Sequence, residues 1–484
     1  MININREHHY TENVQDHLKQ VESLLRKHAL VEVVVHRQEI PREDRHTLVD
    51  TLLHKQHLAE LQHKLDSLHP ADIAYILEAL PIEQRLLVWG LVKSERDGDI
   101  LIEVSDAVRE SLIATMNREE LRAAAEQLDT DEIADLAPDL PQNVMRDVFK
   151  SLSVEEREQL RAAMSYPEDS VGALMDFSMI HVREDVTLEV VSRYLRRFDE
   201  LPDHTDQVFV VDRDDRFKGV LPINLIVVNE PEKIVGDLML TDTIQLHPEE
   251  KADQAAQAFE RYDLVSAPVV DEDGKLVGRV TVNVVLDFIR TESESDVLNL
   301  AGLREEEDIF ASVWKSAQNR WVWLALNLCT AFFASRVIGN FEGTIEKFVA
   351  LATLMPIVAG IAGNSANQTT TIITRSLALG QITQDNARRL MLKELAIGGF
   401  NGLLWGGIAG LFAYFLYHNA ALGIVMTGAM LLNLLVGATV GMAIPLAMQK
   451  LGRDPAIGSS VMITAITDSG GFFIFLGLAT IFLI

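Results

Sequence analysis

The C-terminal third of the chain contains uncharged stretches that are too long for most soluble folds. Residues 348–374 carry no charged side chain, and neither do residues 395–417. A helix needs roughly 20 mostly apolar residues to cross the hydrocarbon core of a bilayer, and buried core helices are usually shorter. We therefore predict an all-α transmembrane domain over residues 321–484, with five helices at about 321–339, 347–375, 393–417, 421–449 and 456–483.

The charge of the chain is divided between two unlike parts. Residues 321–484 hold 8 Lys/Arg and 6 Asp/Glu, whereas residues 1–320 hold 35 and 65, a net charge of −30. The absence of a basic surface argues against nucleic-acid binding. An acidic part attracts cations, although a surface that is acidic only for solubility gives the same count. Cys329 is the only cysteine, so neither an internal disulfide nor a thiolate metal cluster is possible.

Basic residues in the short loops predict the orientation in the membrane. Four of them, from Arg375 to Lys393, flank the second loop, and Lys450 and Arg453 flank the fourth. Because loops rich in Lys and Arg stay in the cytosol, we expect the N-terminal domains to be cytosolic. Five spans then place the C-terminus on the outer side. The first residues have no apolar core, so no cleaved signal peptide is expected.

Residues 1–66 are predicted to form a polar helical extension. Ten of the 14 histidines lie between His8 and His69. A metal-binding tract is one interpretation. We favour a solvated helical face, because no set of acidic or cysteine ligands accompanies the histidines.

Residues 67–175 are predicted to form an acidic helical superhelix. The segment 67–92 resembles 127–152, and in each copy an acidic start precedes apolar residues at i, i+3 and i+4. Repeats of this size are typical of stacked helical hairpins.

Residues 176–236 and 237–290 each contain a strand, an Asp- or Gly-containing turn, a second strand and a helix. An additional helix, at 187–198 or 250–262, precedes each pair of strands. This pattern resembles two tandem α+β CBS domains, and the run APVVDEDGKLVG at 267–278 carries the resemblance most closely. Residues 291–320 are charged and predicted to form one helix that leads to the first span.

Polar and small residues share one face of the second predicted span. Pro356, Gly360, Gly363 and Asn364 fall at i, i+4, i+7 and i+8. Proline removes a backbone donor, and glycine permits close approach of another helix. Such a face lines a pore or forms a packing seam, and both interpretations can hold together.

The fifth predicted span contains Asp468, which we interpret as the single acidic residue inside the apolar spans. A carboxylate at the centre of a bilayer costs about 2.5–3.5 kcal/mol unless it faces water, an ion or a partner. Pore lining is therefore predicted for Asp468 and its neighbours Thr467 and Gly471. The alternatives are an ion pair with Arg336 or a protonated, inactive aspartate.

From about residue 67 onward the chain resembles the MgtE family of bacterial Mg²⁺ channels. The resemblance is carried by YPEDSVGALM (166–175), by Pro356–Gln368, by Asp454-Pro455-Ala456 and by Thr467-Asp468 with Gly471. It implies a multi-pass homodimer of the bacterial inner membrane, with Mg²⁺ as substrate and no enzymatic activity. It further implies that Asp468 faces its symmetry mate across the pore and selects hydrated Mg²⁺.

The resemblance also implies a cytosolic Mg²⁺ sensor in which the connecting helix acts as a plug that bound Mg²⁺ holds closed. The acidic residues that match the sensor pattern are Asp131, Asp135, Asp253, Asp263, Asp287, Glu292 and Asp296. Asn283 and Val284 stand at two positions that are acidic in the family. Ala366 replaces a glycine of the family in the second span.

The nucleotide signature of CBS domains, Gly-x-x-Ser/Thr-x-x-Asp, is incomplete in both copies. Leu225 and Val284 stand where the aspartate is expected, so ATP binding is not expected. Two alternatives to a Mg²⁺ channel remain: transport of Co²⁺, Ni²⁺ or Mn²⁺, and a non-conducting, membrane-anchored CBS sensor. The spans lack clusters of His or Cys near Asp468, which favours a hard, oxygen-bound cation.

Overall fold

The computed structural model describes residues 14–37, 45–300, 303, 308–378, 381–382, 384–453 and 459–484. The chain divides into two compact units. The first unit comprises Met1–Thr291 together with Asp308–Ala311, and the second comprises Glu292–Glu307 together with Ser312–Ile484.

The first unit begins with an all-helical domain. Its helices are α1 (Val14–Arg37), α2 (Arg45–Asp66), α3 (Pro70–Glu78), α4 (Ile82–Trp89), α5 (Asp97–Glu103), α6 (Asp106–Ile113), α7 (Arg118–Ala125), α8 (Thr130–Leu136), α9 (Gln142–Ser151) and α10 (Val154–Ala163). Capping boxes at Asn117, Asp129 and Ser153 begin α7, α8 and α10. Prolines at 81 and 141 precede α4 and α9. The predicted helical domain is therefore confirmed.

The described part of helix α1 packs on this domain and is not solvated on all sides. Val21 and Leu25 of α1 belong to the same hydrophobic core as α3–α10. His17 and His28 lie on the same side of α1 and are only 5% and 7% exposed. The prediction of solvated histidines is wrong for these two, because the spacing 17, 21, 25, 28 places them on the apolar face of the helix.

Two small sheets follow in the first unit. The elements are β1 (His181–Arg183), α11 (Leu188–Leu195), β2 (Gln207–Val211), β3 (Phe217–Pro222), α12 (Ile223–Val228), α13 (Val235–Leu238), α14 (Ala252–Tyr262), β4 (Ser266–Val270), β5 (Leu276–Thr281) and α15 (Val282–Leu300). Strand β2 pairs with β1 in parallel and with β3 in antiparallel orientation, and β4 pairs with β5 in antiparallel orientation. The hairpin turns use positive φ at Asp215 and Gly274, which explains the Asp- and Gly-rich turn sequences.

The connecting segment differs from the predicted single helix over 291–320. Helix α15 runs directly from β5 to Leu300, residues 303 and 308–312 are not helical, and the next helix of the described chain begins at Val313. The Asp308 carboxylate accepts a hydrogen bond from the Phe310 amide, and Ser312 caps the following helix through the Lys315 amide. These turn and capping contacts break the helix before the membrane domain.

The second unit contains long helices. They are α16 (Val313–Gly339), the short α17 (Glu342–Lys347), α18 (Ala350–Ala378), α19 (Gln384–Tyr417), α20 (Ala420–Lys450) and α21 (Ser459–Leu483). Four segments of the described chain are long and apolar enough to cross a membrane: Val313–Gly339, Asn386–Tyr417, Ala420–Lys450 and Ser459–Leu483. Helix α18 has 29 residues but is richer in Asn, Gln and Thr. Its crossing, and hence the count of five spans, stays a prediction.

Helix α20 is the packing centre of the second unit and contacts α18, α19 and α21. Its glycines permit this close approach. A Cβ atom at Gly437 would lie 3.0 Å from the Ala362 carbonyl oxygen, and one at Gly441 would lie 2.6 Å from that of Ala366. Close packing at small residues thus supports the association of these helices, as is typical of helices within membranes.

Candidate pore and sensor residues

Helix α18 has one exposed polar face that no other part of the described chain covers. Pro356, Gly360 and Asn364 are exposed, whereas Val358 and Ala362 are buried. A Cβ atom at Gly360 would meet nothing within 4 Å. The predicted face at i, i+4 and i+8 therefore exists, and three of its residues are not used for packing within the chain.

The remaining member of the predicted set, Gly363, belongs to a packing seam. A Cβ atom there would lie 3.5 Å from Thr467 Oγ1 on α21. Thr467 is completely buried, and its hydroxyl donates to the Ile463 carbonyl at 2.9 Å. The Thr467 hydroxyl is hydrogen-bonded within its own helix and covered by α18, so it is not accessible to water. The prediction that Thr467 lines the pore is therefore corrected to a packing role.

Gly471 also packs against a neighbouring helix. A Cβ atom at this position would overlap the side-chain amide of Asn433 on α20. That amide donates from Nδ2 to the Val358 carbonyl of α18 at 3.1 Å, and Asn433 is 0% exposed. Gly471 thus leaves room for an amide that joins α18, α20 and α21. Sequence reasoning missed Asn433, whose signal is an isolated amide within the apolar run 421–449.

Asp468 lies between these two packed residues but is itself only half-buried. Among the described residues it forms no ion pair and no side-chain hydrogen bond. Arg336, the alternative partner, is exposed and forms no ion pair with it either. The interpretation of Asp468 as half of a structural ion pair with Arg336 is therefore wrong. If Asp468 is ionised, its partner lies outside the described chain, in water, an ion or another protein molecule, and a protonated aspartate remains the alternative.

A second acidic residue of the predicted spans is Glu394, so Asp468 is not the single one. Glu394 on α19 is 6% exposed, and Thr369 Oγ1 of α18 donates to its Oε2 at 3.1 Å. Its position next to Lys393, before the uncharged run 395–417, makes it resemble a loop residue in the sequence. Its burial follows from the packing of α19 on α18.

The predicted sensor residues lie on three helices of the chain. Asp131 and Asp135 are on α8, Asp253 begins α14, and Asp263 ends α14 with a left-handed φ of 50°. Asp287, Glu292 and Asp296 are on α15, although the side chain of Asp296 lies outside the description, as does the motif Asp454–Ala456. The described residues contain no group of three His, Cys, Asp or Glu side chains placed to hold a metal ion.

Two pairs of acidic residues, one member of each in the helical domain and the other in the CBS region or on α15, nevertheless influence each other electrostatically within the first unit. Burial and, to a smaller extent, the nearby negative charge of Asp176 raise the pKa of Asp131 to about 8. Asp131 Oδ1 is buried without a hydrogen-bond partner among the described residues. Asp176 itself pairs with Arg279 at 2.7 Å. The acidic side chain that lacks compensation is therefore Asp131.

The second pair of acidic residues is Glu103 on α5 and Asp287 on α15. Partial burial raises the pKa of Glu103, and the negative charge of Asp287 raises it further. Partial burial also raises the pKa of Asp287, whereas Arg290 lowers it. Mg²⁺ needs few carboxylates because it keeps several of its waters, so acidic pairs of this kind suffice for weak binding. Glu103 was not among the sequence-predicted sensor residues.

Family models match three segments of the chain. The MgtE intracellular N domain matches residues 68–169, the CBS domain matches residues 235–291, and the divalent cation transporter model, MgtE, matches residues 355–478.

Curated relatives align with most of the chain. The magnesium transporter MgtE of Bacillus subtilis is 27% identical over 432 residues, which cover 89% of this chain and 96% of the relative. That of Thermus thermophilus is 29% identical over 431 residues, which cover 87% and 95%.

Two solved structures match part of the chain. The cytosolic domain of the Mg²⁺ channel MgtE in complex with ATP is 30% identical, with a TM-score of 0.45, and covers 49% of this chain and 97% of that chain. The soluble part of a magnesium transporter is 18% identical, with a TM-score of 0.45, over 58% and 100%.

Proposed function

This chain belongs to the MgtE family of divalent cation transporters, and from that premise we propose that it is a Mg²⁺-selective channel gated closed by cytosolic Mg²⁺. The channel conducts down the gradient of concentration and membrane potential. It acts as a homodimer in the inner membrane, with its first unit in the cytosol and its C-terminus outside.

The observation that carries this proposal is the half-buried Asp468 without a partner inside the described chain. A carboxylate at membrane depth is costly unless it faces an ion or water. Two copies of Asp468 facing each other across a dimer axis supply the charge that attracts a divalent cation. Mg²⁺ releases its first water shell reluctantly, so the carboxylates bind the ion through its waters.

The exposed face of α18 supports the same interpretation. Pro356, Gly360 and Asn364 leave small and polar surface uncovered in the single chain. In a dimer this face lines the path next to Asp468, and the amide and backbone oxygens accept hydrogen bonds from the waters of the ion. Thr467, Gly471 and Asn433 hold the helices that present this face.

The like-charged pairs of the first unit support the proposed closure by Mg²⁺. Without a cation, the ionised form of Asp131 near Asp176 and that of Glu103 near Asp287 are disfavoured, as the raised pKa values of Asp131 and Glu103 indicate. Mg²⁺ between such pairs removes the repulsion and favours compaction. Asp135, Asp253, Asp263, Glu292 and Asp296 are proposed to add further ligands.

The test is ion flux into liposomes that contain the purified full chain. We expect Mg²⁺ uptake by the unaltered protein and at least about a tenfold loss in Asp468→Asn, which keeps the size of the side chain and removes its charge. Glu346→Gln, an exposed acidic residue of the same unit, is the matched control and should conduct normally. Normal Mg²⁺ flux in a correctly assembled Asp468→Asn protein would contradict the proposal. Parallel runs with Co²⁺, Ni²⁺ and Mn²⁺ test the alternative substrates, and absence of any flux would favour the non-conducting sensor.

A further inference from the structure

A cavity of about 470 Å³ lies where α18 ends and α19 begins. Its polar walls are Ser376, Gln381, Asn386, Arg389 and Lys393. Its apolar walls are Ile382 and Leu390, which pack onto the buried cluster of Ile373, Leu377 and Met442. The base of the cavity is therefore apolar and packed against a buried cluster, and its rim is polar.

Backbone and amide contacts hold that rim in place. The Gln381 amide donates to the Ser376 carbonyl at 2.9 Å, and Asn386 Nδ2 donates to the Gln381 carbonyl at 2.8 Å. The side chains of Arg389 and Lys393 are exposed and lie one turn apart on α19. Neither forms an ion pair with a described carboxylate. The cavity thus presents two cations that no described carboxylate compensates, together with a hydroxyl and amide groups, which is the donor set that binds a phosphate group.

An apolar stripe continues the same face of α19 beyond the cavity. From Lys393 the face runs through Ile397, Phe400 and Leu404 at i+4, i+7 and i+11. Their side chains are 42%, 69% and 47% exposed. An acyl chain that leaves a head group at Lys393 would extend along this stripe in the direction of the membrane interior. The cations alone would suit any phosphate, but the stripe adds the apolar part of a lipid.

We propose that this cavity binds the phosphate of an anionic phospholipid, with Arg389 and Lys393 on the head group and an acyl chain along Ile397, Phe400 and Leu404. Basic pockets at the ends of membrane helices are the expected places for such head groups. The lipid also covers apolar surface of α19 that the described chain leaves open. Its binding is independent of ion conduction.

The experiment measures lipid binding to the full chain in neutral detergent, by native mass spectrometry during a titration with phosphatidylglycerol. The double variant Arg389→Gln/Lys393→Gln is compared with Arg375→Gln/Arg388→Gln. Both remove two exposed positive charges near the same helix ends, but only the first pair lines the cavity. We expect the apparent dissociation constant to rise about thirtyfold in the cavity variant, and at least about tenfold more than in the control.

Equal losses in the two double variants would overturn the proposal, because they would indicate general attraction between a basic surface and an anionic lipid. Phosphatidylcholine should bind at least about tenfold more weakly than phosphatidylglycerol. Inorganic phosphate at the same concentration should not displace phosphatidylglycerol, and efficient displacement would contradict a lipid site.

A variant in the apolar stripe distinguishes the contribution of the acyl chain to binding from that of the head group. Phe400→Ser should weaken phosphatidylglycerol binding while leaving Arg389 and Lys393 in place, and unchanged binding would contradict the position of the acyl chain. If the double variant does not elute like the unaltered protein, Lys393→Gln compared with Arg388→Gln decides the same question.

Discussion

Arg85 and Asp308 form a buried, bidentate ion pair in the first unit. Arg85 Nη1 lies 2.7 Å from Asp308 Oδ2, and Nη2 lies 3.1 Å from Oδ1. The side chain of Arg85 is 0% exposed and that of Asp308 only 10%. Arg85 also donates from Nε to the Leu77 carbonyl at 2.9 Å. The pair therefore ties α4 of the helical domain to a residue 223 positions later in the chain, just before the first membrane helix.

Asp308→Asn should destabilise the contact strongly, because it leaves the buried guanidinium of Arg85 without its counter-charge. The expected cost is about 3–5 kcal/mol locally. Hydrogen exchange of the full chain checks this, and the amides of α4 and of residues 308–311 should exchange faster. Asp147→Asn, which removes a surface partner of Arg118, is the control and should change hydrogen exchange little. Unchanged hydrogen exchange in Asp308→Asn would show that another group compensates the positive charge of Arg85.

Gly471→Ala should destabilise the second unit, because the added methyl group meets the Asn433 amide and displaces it from the Val358 carbonyl. We expect a loss of about 1–3 kcal/mol and a lower melting midpoint in detergent. Gly477→Ala on the same helix has nothing within 4 Å of the new atom and should be neutral. Equal midpoints for the two variants would mean that the Asn433 contact does not contribute.

Mg²⁺-dependent compaction of the first unit should depend on pH through Asp131. The pKa of Asp131 is about 8 in the folded chain against an ordinary value of 3.8, so the folded state binds the additional proton between these values. The stability contribution of Asp131 consequently falls as pH rises through that window. Mg²⁺ competes with this proton. We expect millimolar Mg²⁺ to protect residues 287–315 from proteolysis, at about threefold to tenfold lower concentration at pH 8.5 than at pH 7.

The variant Asp131→Asn provides the control for this dependence. It should weaken the protection by Mg²⁺ and remove most of its change with pH. It should also raise the stability of the Mg²⁺-free first unit at pH 8 by about 1–3 kcal/mol, because no buried carboxylate then needs to ionise. Identical proteolysis with Mg²⁺ and with a chelator would contradict the whole scheme.

Val284→Asp should lower the Mg²⁺ concentration that closes the pore, since it restores an acidic group of the family pattern one turn before Asp287 on α15. Liposome flux with graded Mg²⁺ on the cytosolic side measures this. Leu286→Asp adds the same charge on the same helix at an exposed position outside the pattern and should change closure less. A shift to higher concentration in Val284→Asp would exclude this position from the sensor.

ATP should bind the unaltered chain poorly, because neither CBS copy carries the aspartate of the nucleotide signature. Losing a charge-assisted hydrogen bond costs about 1.5–3 kcal/mol, or roughly tenfold to 150-fold in affinity. Calorimetry on the full chain should give no micromolar dissociation constant. Val284→Asp completes the signature of the second copy and should improve ATP binding by about that factor, whereas Leu286→Asp should not.

The sequence alone determined the architecture, because periodicity and run length are local properties. Uncharged runs such as 395–417 predict membrane helices wherever they occur, and the alternation of strand and turn at 266–281 predicts a hairpin before any contact is known. The position of Asp468 in such a run already indicated a functional carboxylate. The repeated apolar pattern at i, i+3 and i+4 likewise predicted the helical domain of the first unit.

Only the tertiary structure decided which side of each helix is open. Thr467 and Asp468 are neighbours in the sequence, yet Thr467 is buried against Gly363, whereas Asp468 remains half-exposed. Glu394 and Arg85 have no unusual sequence context, and the isolated amide of Asn433 does not reveal its partner. The burial of all three comes from helices elsewhere in the chain. Desolvation and pairing depend on those distant neighbours, so the raised pKa of Asp131 and the pairing of Asp308 follow from packing and not from local sequence.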